Sequence, residues 1–377
     1  MSSQPADSTP ERSRIRVAVV FGGRSSEHAI SCISAGSVIN ALDPEKYDVV
    51  PIGITTDGRW VLESNEGGRL ALGPAGELPA VTGDREVALS PEADLVVSEP
   101  GAVPTRLGEV DVVFPVMHGP WGQDGTLQGL LELSGVRYVG AGVLSSAVGT
   151  DKMFMKLLFA AQGLPVLPWV LVRPGAWERD EAAISEAVAS LGYPVFVKPA
   201  RAGSSFGISR VDRPEDLGEA ITEAQRFDPK VLVEAAAEGA REVEIGVLGG
   251  LDGKEPRTSA IAEITVDAAH TFYDFEAKYL PEQNTALQVP ADLGDAVAAR
   301  VRQFALEAFA ALDVEGLARV DFFVFDDGRV VLNEVETMPG FTATSMFPRM
   351  WAASGLEYPE LLDHLVALAL ARGTGLR

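Results

Sequence analysis

The sequence predicts an α/β protein that opens with a parallel-sheet, Rossmann-like domain and continues into α+β units. With 377 residues, 46% of them hydrophobic, the chain can bury more than one domain usually holds. Near the N-terminus, the β-branched run at 16–21 stops at Gly22 and leads into a helical pattern, and further apolar strands follow at 49–54 and 110–116. This βαβ order is typical of a parallel sheet covered by helices.

Composition shifts along the chain predict where the domains begin and end. Residues 1–13 are polar, contain Pro5 and Pro10, and are expected to be a disordered tail. An N-terminal α/β domain is predicted over 14–144, a central unit over 145–235 and a C-terminal unit over 236–377. Residues 63–108 give weak periodic signals and are expected to form variable loops with short strands.

Hydrophobic periodicity predicts the elements of the last two units. Helices are expected in six segments, namely one from 145 onward, 182–191, one after Pro214, 292–312, 345–353 and 358–370. The predicted strands are 166–172, 195–197, 208–211, 231–234, 243–248, 259–266, 318–325 and 330–335. Residues 268–285 lie between strong elements and read as a lid loop.

Charge and cysteine content exclude several classes of function. The formal net charge of −23 repels nucleic acid and acidic membrane surfaces, and no apolar run is long enough to span a bilayer. The single cysteine, Cys32, rules out an internal disulfide and a cysteine-built zinc site, which favours a reducing cytoplasm. These features predict a cytoplasmic enzyme that acts on small molecules.

Two glycine-rich motifs follow strands of the predicted parallel sheet. In FGGRSSEH, residues 21–28, a strand runs into a helix start whose amides could hold a polar ligand near Glu27. HGPWGQDG, residues 118–125, begins with His118 at the carboxyl end of a strand, where open parallel sheets bind ligands. Ordinary turns would explain both sets of glycines equally well.

The segment 197–207, VKPARAGSSFG, indicates a phosphate-binding loop. Lys198 ends an apolar strand, and the small residues that follow, including Ser204 and Ser205, could wrap a triphosphate with backbone amides. No Gly-Lys-Ser/Thr opens a helix, so the segment is not a Walker loop. The alternative is a flexible hairpin.

Charged residues at alternate positions on two late strands indicate a metal site. Arg319 and Asp321 share one face of their strand, as Glu334 and Glu336 do on the next. Oxygen-only carboxylate clusters suit Mg²⁺, and an adjacent arginine can hold a phosphate or a developing oxyanion. A solvated sheet face is the alternative interpretation.

Two further segments could contact ligands. Residues 337–346, TMPGFTATSM, form a Pro-Gly turn before a helix start that could hold a carboxylate, although ordinary helix capping by Ser345 fits equally well. Residues 272–279, FYDFEAKY, could be a lid that brings a cation to the phosphates. A packed surface loop is the alternative.

Taken together and in order, these motifs resemble the D-alanine–D-alanine ligases of the ATP-grasp superfamily, especially the longer actinobacterial type. The resemblance covers nearly all residues from 14 to the C-terminus and rests on GGRSSEH, HGPWGQDGTLQG, DKMFMK, GYPVFVKPARAGSSFG, FYDFEAKY, ARVDFF and NEVETMPGF. It implies an N-terminal substrate domain followed by a two-part ATP-grasp domain that holds ATP between its halves. It also implies ATP, Mg²⁺ (which Mn²⁺ could replace) and D-alanine as ligands, a homodimer, and a role in peptidoglycan precursor synthesis.

The resemblance assigns roles to individual residues. Nucleotide contacts fall on Lys152, Lys198, Ser204, Ser205, Glu234, Glu242 and Lys278, and metal ligands on Asp321, Glu334 and Glu336. Substrate contacts fall on Glu27, His118, Arg319, Gly340, Ser345 and Met346, where Arg319 and the Gly340 amide form the oxyanion site. Glu27, Ser204 and Tyr279 are implied to form the hydrogen-bonded set that closes the lid.

One position departs from the family pattern. Family members usually carry Asn where this chain has Glu336, so the sequence reads NEVETMPG. An abnormal Mg²⁺ dependence is therefore expected. Two other hypotheses stay open: a paralogue that uses a D-hydroxy acid or an antibiotic-pathway amino acid as acceptor, and a catalytically impaired nucleotide-binding protein.

Overall fold

Three β-sheets organise the chain. The computed structural model describes residues 14–73, 76–89, 94–99, 103–203, 206–266 and 285–374. Strands β1–β7 form the first sheet, β8–β11 the second and β12–β16 the third. Each sheet lies within one of the three predicted domain ranges, and the exact boundaries of those domains stay a prediction.

The elements have the following bounds. The strands are β1 Ile15–Gly22, β2 Tyr47–Ile54, β3 Trp60–Leu62, β4 Glu86–Leu89, β5 Asp94–Ser98, β6 Thr105–Glu109, β7 Val112–Val116, β8 Trp169–Val172, β9 Val195–Pro199, β10 Ser209–Val211, β11 Val231–Ala235, β12 Arg241–Leu248, β13 Arg257–Val266, β14 Thr285–Gln288, β15 Leu317–Val324 and β16 Val330–Glu336. The α-helices are α1 His28–Ala41, α2 Thr126–Leu133, α3 Val143–Thr150, α4 Lys152–Ala161, α5 Ala176–Arg179, α6 Glu181–Ala189, α7 Leu217–Gln225, α8 Asp295–Ala311, α9 Met346–Ala352 and α10 Tyr358–Ala371.

The first sheet is parallel only at one end. Its order is β6-β5-β4-β3-β2-β1-β7, with β1 parallel to both β2 and β7, whereas β3–β6 join antiparallel. Most of the short strands expected within 63–108 thus extend this sheet. Their apolar residues alternate over very few positions, which is too short a pattern to reveal a shared sheet in the sequence.

The second sheet is small and wholly antiparallel. Its order is β10-β9-β11-β8, and α6 and α7 supply helical cover for a core that includes Val172, Val197 and Ile221. The loop between β9 and β10 carries the predicted phosphate-binding segment. Ser204 and Ser205 of that loop lie outside the described residues.

The third sheet has the order β14-β13-β12-β15-β16 and is also antiparallel. In β15, buried residues alternate with Arg319, Asp321 and Phe323, so these three share the opposite face. Asp321 lies opposite Glu334 and Phe322 lies opposite Leu332, which leaves Asn333 as a bulge in β16. The bulge places Glu334 and Glu336 opposite Asp321 and Arg319.

The predicted helix from 145 is two helices in the structure. α3 ends at Thr150 and α4 begins at Lys152, with Asp151 between them. The Asp151 carboxylate accepts hydrogen bonds from the backbone amides of Met153 and Phe154, which starts a new helix at this point. Lys152 therefore stands at the first position of α4.

The C-terminal helices pack against the first sheet. One hydrophobic core joins residues of β1, α1 and β7 to residues of α9 and α10, and the rings of Phe114 and Phe341 meet at a centroid distance of 5.9 Å. Among the described residues, no helix is both long and apolar enough to cross a bilayer. The predicted fold class, a parallel-sheet α/β domain followed by α+β units, is confirmed.

Candidate active site

Two neighbouring cavities collect most of the predicted site residues. The larger has an empty volume of about 1300 Å³ and lies between the second and third sheets, lined among others by Phe196, Lys198, Glu234 and Phe322. The smaller, with an empty volume of about 790 Å³, is lined by Glu27, His118, Gln123, Arg319, Glu336 and Gly340 among others. We call them the nucleotide cavity and the substrate cavity. Lys152 and Glu334 line both.

The nucleotide cavity is built around a buried carboxylate held by two lysines. Glu234 Oε2 accepts a hydrogen bond from Lys198 Nζ at 2.6 Å, and Glu234 Oε1 forms an ion pair with Lys156. Glu234 and Lys156 are each only 1% exposed. A charge buried this deeply must be paired, so the three side chains form one unit.

Burial and mutual attraction shift the pKa values of this unit. Burial alone would raise the pKa of Glu234, but the two ammonium groups hold it below its ordinary value. Burial would also lower the pKa of Lys198, yet Glu234 and neighbouring carboxylates raise it. For Lys156 burial dominates and lowers the pKa, against the opposing attraction of Glu234. Lys198 thus stays a cation at the wall of the cavity.

A cation and a carboxylate stand where the two cavities meet. Lys152 Nζ donates to the carbonyl oxygen of Ala202 at 2.9 Å and lies 3.5 Å from Glu334 Oε2. Ala202 belongs to the loop predicted to wrap phosphates. The junction therefore brings together a lysine, a glutamate and backbone of that loop.

Arg319 lies beside this junction in an acidic setting. It makes a bidentate pair with Asp321, at 2.8 and 2.7 Å, and its Nε lies 3.2 Å from Glu244 Oε2. Burial alone would lower the pKa of Arg319, but these two carboxylates hold it well above its ordinary value. Arg319 is a permanent cation in the wall of the substrate cavity.

The three predicted metal ligands do not form a single cluster. Asp321 pairs with Arg319, Glu334 lies near Lys152, and the Glu336 carboxylate accepts a hydrogen bond from Gln123 Nε2 at 2.8 Å. Among the described residues, no group of three or more His, Cys, Asp or Glu side chains is arranged to hold a metal. Asp321 and Glu334 are direct cross-strand neighbours, so their carboxylates share one face.

Glu336 lies on the substrate side of the junction. It lines the substrate cavity and is absent from the wall of the nucleotide cavity. Burial raises the pKa of Glu336 to about 7; Arg319 opposes the shift, and the carboxylates of Glu334 and Glu27 add to it. Its charge therefore depends on pH near neutrality.

Glu27 and His118 are two buried side chains in the wall of the substrate cavity. Glu27 is 5% and His118 is 4% exposed. His118 Nδ1 lies 3.1 Å from the carbonyl oxygen of Met338, and burial lowers its pKa, so the ring is neutral at pH 7. A Cβ at Gly119 or Gly203 would press against the Glu27 carboxylate, so both glycines allow backbone to approach it closely.

Only some of the remaining predicted residues lie at the two cavities. Gly340 lines the substrate cavity, whereas Glu242 is an exposed residue of the nucleotide cavity. Ser345 and Met346 do not line the substrate cavity: the Ser345 hydroxyl bonds with Thr342, and the Met346 side chain belongs to the hydrophobic core. Ser204, Ser205, Lys278, Tyr279 and, except for Thr285, the predicted lid loop 268–285 lie outside the described residues.

Three side chains of the site were not singled out from the sequence. Lys156 lies in the DKMFMK motif on an otherwise apolar helix face, and Glu244 lies in the middle of a buried strand. A charge in such a position is a usable signal, because it needs a buried partner. Gln123 gave no such signal, since an amide within a glycine-rich loop reads as a turn residue.

Comparison with known proteins identifies the family. A family model described as D-ala D-ala ligase N-terminus matches residues 16–141, and one described as D-ala D-ala ligase C-terminus matches residues 158–367. The D-alanine–D-alanine ligases of Streptomyces avermitilis and Kineococcus radiotolerans are 55% and 57% identical to this chain, with 100% of each chain covered.

Solved structures agree with the sequence comparison. The D-alanine–D-alanine ligase of Coxiella burnetii superposes with a TM-score of 0.78 at 34% identity, over 95% of this chain and 94% of that one. The VanG D-Ala:D-Ser ligase of Enterococcus faecalis gives 0.79 at 34% identity, over 94% and 99%. The predicted resemblance is confirmed, and the chain belongs to the D-alanine–D-alanine ligase family.

Proposed function

We propose that this protein joins two D-alanine molecules to D-alanyl-D-alanine at the expense of ATP, through an acylphosphate intermediate. The observation that carries the proposal is the meeting of the two cavities at Lys152 and Glu334. A γ-phosphate that enters from one cavity can reach a carboxylate held in the other only at such a junction. The reaction needs positioning and charge neutralisation more than a protein nucleophile.

The first D-alanine is proposed to lie in the substrate cavity with its ammonium group near Glu27. The buried carboxylate of Glu27 favours a cation, while the neutral His118 adds no positive charge that would repel it. The carboxylate of the substrate would then point toward Arg319 and the junction. Arg319 and the Gly340 amide would stabilise the negative oxygen that develops during attack by the second amine.

The nucleotide is proposed to bind between the second and third sheets. Lys198 and Lys152 would contact its phosphates, and the apolar residues Phe196 and Phe323 would line the base region. Ser204, Ser205, Glu242 and Lys278 are proposed to contribute further contacts. Glu27, Ser204 and Tyr279 are proposed to close the lid and so exclude water, which would hydrolyse the acylphosphate.

The carboxylate arrangement fits Mg²⁺. This ion is usually bound by one or two carboxylates together with substrate phosphates and water, and Asp321 and Glu334 present two carboxylates on one face. When bound there, Mg²⁺ neutralises charge on the transferring phosphoryl group. Glu336 is proposed as a third ligand, and Mn²⁺ could serve in place of Mg²⁺. Titrating Mg²⁺ against the initial rate for wild type and Glu336→Asn tests its part, because superimposable curves would exclude it.

The carboxylate of the second D-alanine is proposed to bind at Ser345 and Met346. Since the Ser345 hydroxyl already bonds with Thr342 at 2.7 Å, this role requires that hydrogen bond to rearrange when substrate enters. Tyr279 belongs to the lid segment in which, by resemblance, dipeptide-forming enzymes carry tyrosine. D-lactate should therefore be a poor acceptor at neutral pH.

Phosphate release tests the proposal. With ATP and Mg²⁺, release should depend on D-alanine, and D-alanyl-D-alanine should appear as product. L-alanine should fail, because inverting the stereocentre pulls the ammonium or the carboxylate from its partner at roughly 1.5–3 kcal/mol for each charged hydrogen bond. Equal turnover with L-alanine would exclude the assignment. D-serine or D-lactate as the preferred acceptor in competition would favour the paralogue hypothesis instead.

Oligomeric state and location are separate proposals. We infer a homodimer and a cytoplasmic enzyme from the family resemblance. Sedimentation of the purified protein measures the first, and fractionation of the producing cells measures the second.

A further inference from the structure

Gln123 reaches from the N-terminal domain to the strand that carries the predicted metal ligands. Its Nε2 donates to Glu336 Oε1 at 2.8 Å, across more than two hundred positions of sequence. Gln123 is 8% exposed, and both side chains line the substrate cavity. Among the described residues, Glu336 is the only hydrogen-bond partner of the Gln123 side chain.

The backbone that carries Gln123 is fixed on both sides. The backbone amide of Gln123 donates to the carbonyl oxygen of Gly119 at 3.2 Å, and the backbone carbonyl oxygen of Gln123 accepts from Thr150 Oγ1 at 2.9 Å. The neighbouring Gln128 closes the loop through the Gly122 carbonyl and the Gly125 amide, at 2.9 and 3.1 Å. The backbone at Gln123 is therefore held in place by other groups of the loop and by Thr150. The side-chain amide of Gln123 bonds with Glu336 and not with the loop.

Arg319 is the obvious competing partner for Glu336. The two residues are direct partners across β15 and β16, and opposite charges in that relation normally attract one another. Among the described residues, however, the ion pairs of Arg319 are with Asp321 and Glu244, and Glu336 turns to Gln123 instead. The amide thus holds the carboxylate away from the nearest guanidinium.

A third carboxylate on Arg319 would compete with substrate. Arg319 already carries a bidentate pair with Asp321, so capture of Glu336 would occupy the donors that remain for a substrate oxygen. Resting on the function proposed above, we propose that Gln123 is a positioning residue that holds the Glu336 carboxylate off Arg319 and so keeps that arginine available to D-alanine.

A double-mutant cycle tests the inference. Gln123→Met removes the side-chain amide and keeps the length of the side chain. Glu336→Gln removes the negative charge that would otherwise pair with Arg319. Gln123→Met should lower kcat/KM for D-alanine about tenfold, the effect of losing one charged hydrogen bond, and leave the KM for ATP unchanged. In the Glu336→Gln background the same substitution should have little effect, because no carboxylate remains to capture Arg319.

Gln128→Met is the matched control. It removes an equally buried amide from the same loop, but one that bonds with backbone. Its loss of activity should be the same in both backgrounds. Equal losses for Gln123→Met in the two backgrounds, or a parallel rise in the KM for ATP, would overturn the inference and make Gln123 a loop-building residue.

A second pair of variants tests the inference if the Gln123→Met protein does not fold. Gln123→Glu sets two carboxylates against each other and should be at least as harmful to D-alanine use. The double variant Gln123→Glu/Glu336→Gln restores a hydrogen bond with the charge moved away from Arg319, and should have a higher kcat/KM for D-alanine than Gln123→Glu alone. An absence of recovery counts against the inference.

Urea unfolding in metal-free buffer separates this inference from the proposed function. The shift in midpoint caused by Gln123→Met should be smaller in the Glu336→Gln background, since a hydrogen bond to a neutral amide is weaker than one to a carboxylate. This readout needs no substrate. An enzyme inactive toward D-alanine would refute the proposed function, whereas independent midpoint shifts would refute the Gln123–Glu336 coupling.

Discussion

Replacing Glu234 by glutamine should strongly destabilise the protein, because two lysines depend on that carboxylate. Glu234 is 1% exposed and pairs with both Lys156 and Lys198. Glutamine preserves the shape but leaves Lys156, also 1% exposed, without its ion-pair partner. Breaking a buried ion pair by removing one partner typically costs about 3–5 kcal/mol.

The ionisation of Lys156 sets an upper limit on the share of this loss that Lys156 contributes. If burial without a partner makes the charged form too unfavourable, Lys156 can instead be buried in its neutral form. Deprotonating a lysine with an ordinary pKa of about 10.4 at pH 7 spans roughly 3.4 pKa units, which corresponds to about 4.6 kcal/mol. Burial already lowers the pKa of Lys156 in the wild type. A base whose folded-state pKa is depressed destabilises the fold below its unfolded pKa, so the deficit of Glu234→Gln should shrink as pH rises toward about 10.

Urea unfolding measures this prediction. The control is Glu238→Gln, in the same cavity, where the side chain is 61% exposed and its pair with Arg210 should contribute less than about 1 kcal/mol. We expect Glu234→Gln to lose about 3–5 kcal/mol at pH 7. A Glu234→Gln protein within about 1 kcal/mol of wild type, or one whose deficit grows with pH, would refute the reasoning.

Three further predictions concern the substrate cavity. Gly119→Ala should raise the KM for D-alanine and leave the KM for ATP unchanged. The reason is that a Cβ at this positive-φ position (φ 74°) displaces the Glu27 carboxylate. Unchanged D-alanine kinetics would argue against contact between Glu27 and substrate. Arg319→Lys should lower kcat by about 10²–10³, since lysine cannot hold Asp321 bidentately and still offer a donor to the oxyanion. Single-turnover rates measure this loss. A loss below about tenfold would contradict the proposed stabilisation of the oxyanion by Arg319. The pKa of Glu336 is raised from 4.5 to about 7, so its contribution to stability is full below pH 4.5 and is lost as pH rises through 7. In metal-free buffer Glu336→Gln should therefore be more stable than wild type above pH 7, by at most about 3 kcal/mol because the side chain keeps some contact with solvent. The urea midpoints of the two proteins should converge as the pH falls below 4.5.

The strands and helices followed closely from the sequence, because apolar residues recur at the period of the element they form. The predicted β15 at 318–325 is Leu317–Val324 in the structure, and the predicted helix at 358–370 is Tyr358–Ala371. Sheet membership was harder to predict. Strands β3–β6 are three to five residues long, and their antiparallel pairing with the first sheet depends on contacts that no local pattern records.

Site residues could be predicted where a charge interrupts an apolar element. Lys198, Arg319 and Asp321 were found in this way, and the structure places all three at the cavities. Partnerships between them could not be predicted, because they depend on the register of β12, β15 and β16. The pair of Glu336 with Gln123 joins β16 to the loop between β7 and α2, and nothing in either local sequence points to the other.

The pairs at the junction suggest why nucleotide and amino acid would act together. The two carboxylates proposed for Mg²⁺ are each paired with a cation proposed to contact a ligand: Asp321 with Arg319, proposed for D-alanine, and Glu334 with Lys152, proposed for ATP. If Asp321 and Glu334 hold a divalent ion, both pairs would weaken, since each carboxylate would then have a stronger partner. Arg319 and Lys152 line the substrate cavity, where on the proposed function a carboxylate and a phosphate would approach despite their like charges. On the proposed roles, a ligand bound in one cavity would change the charge that the other cavity presents.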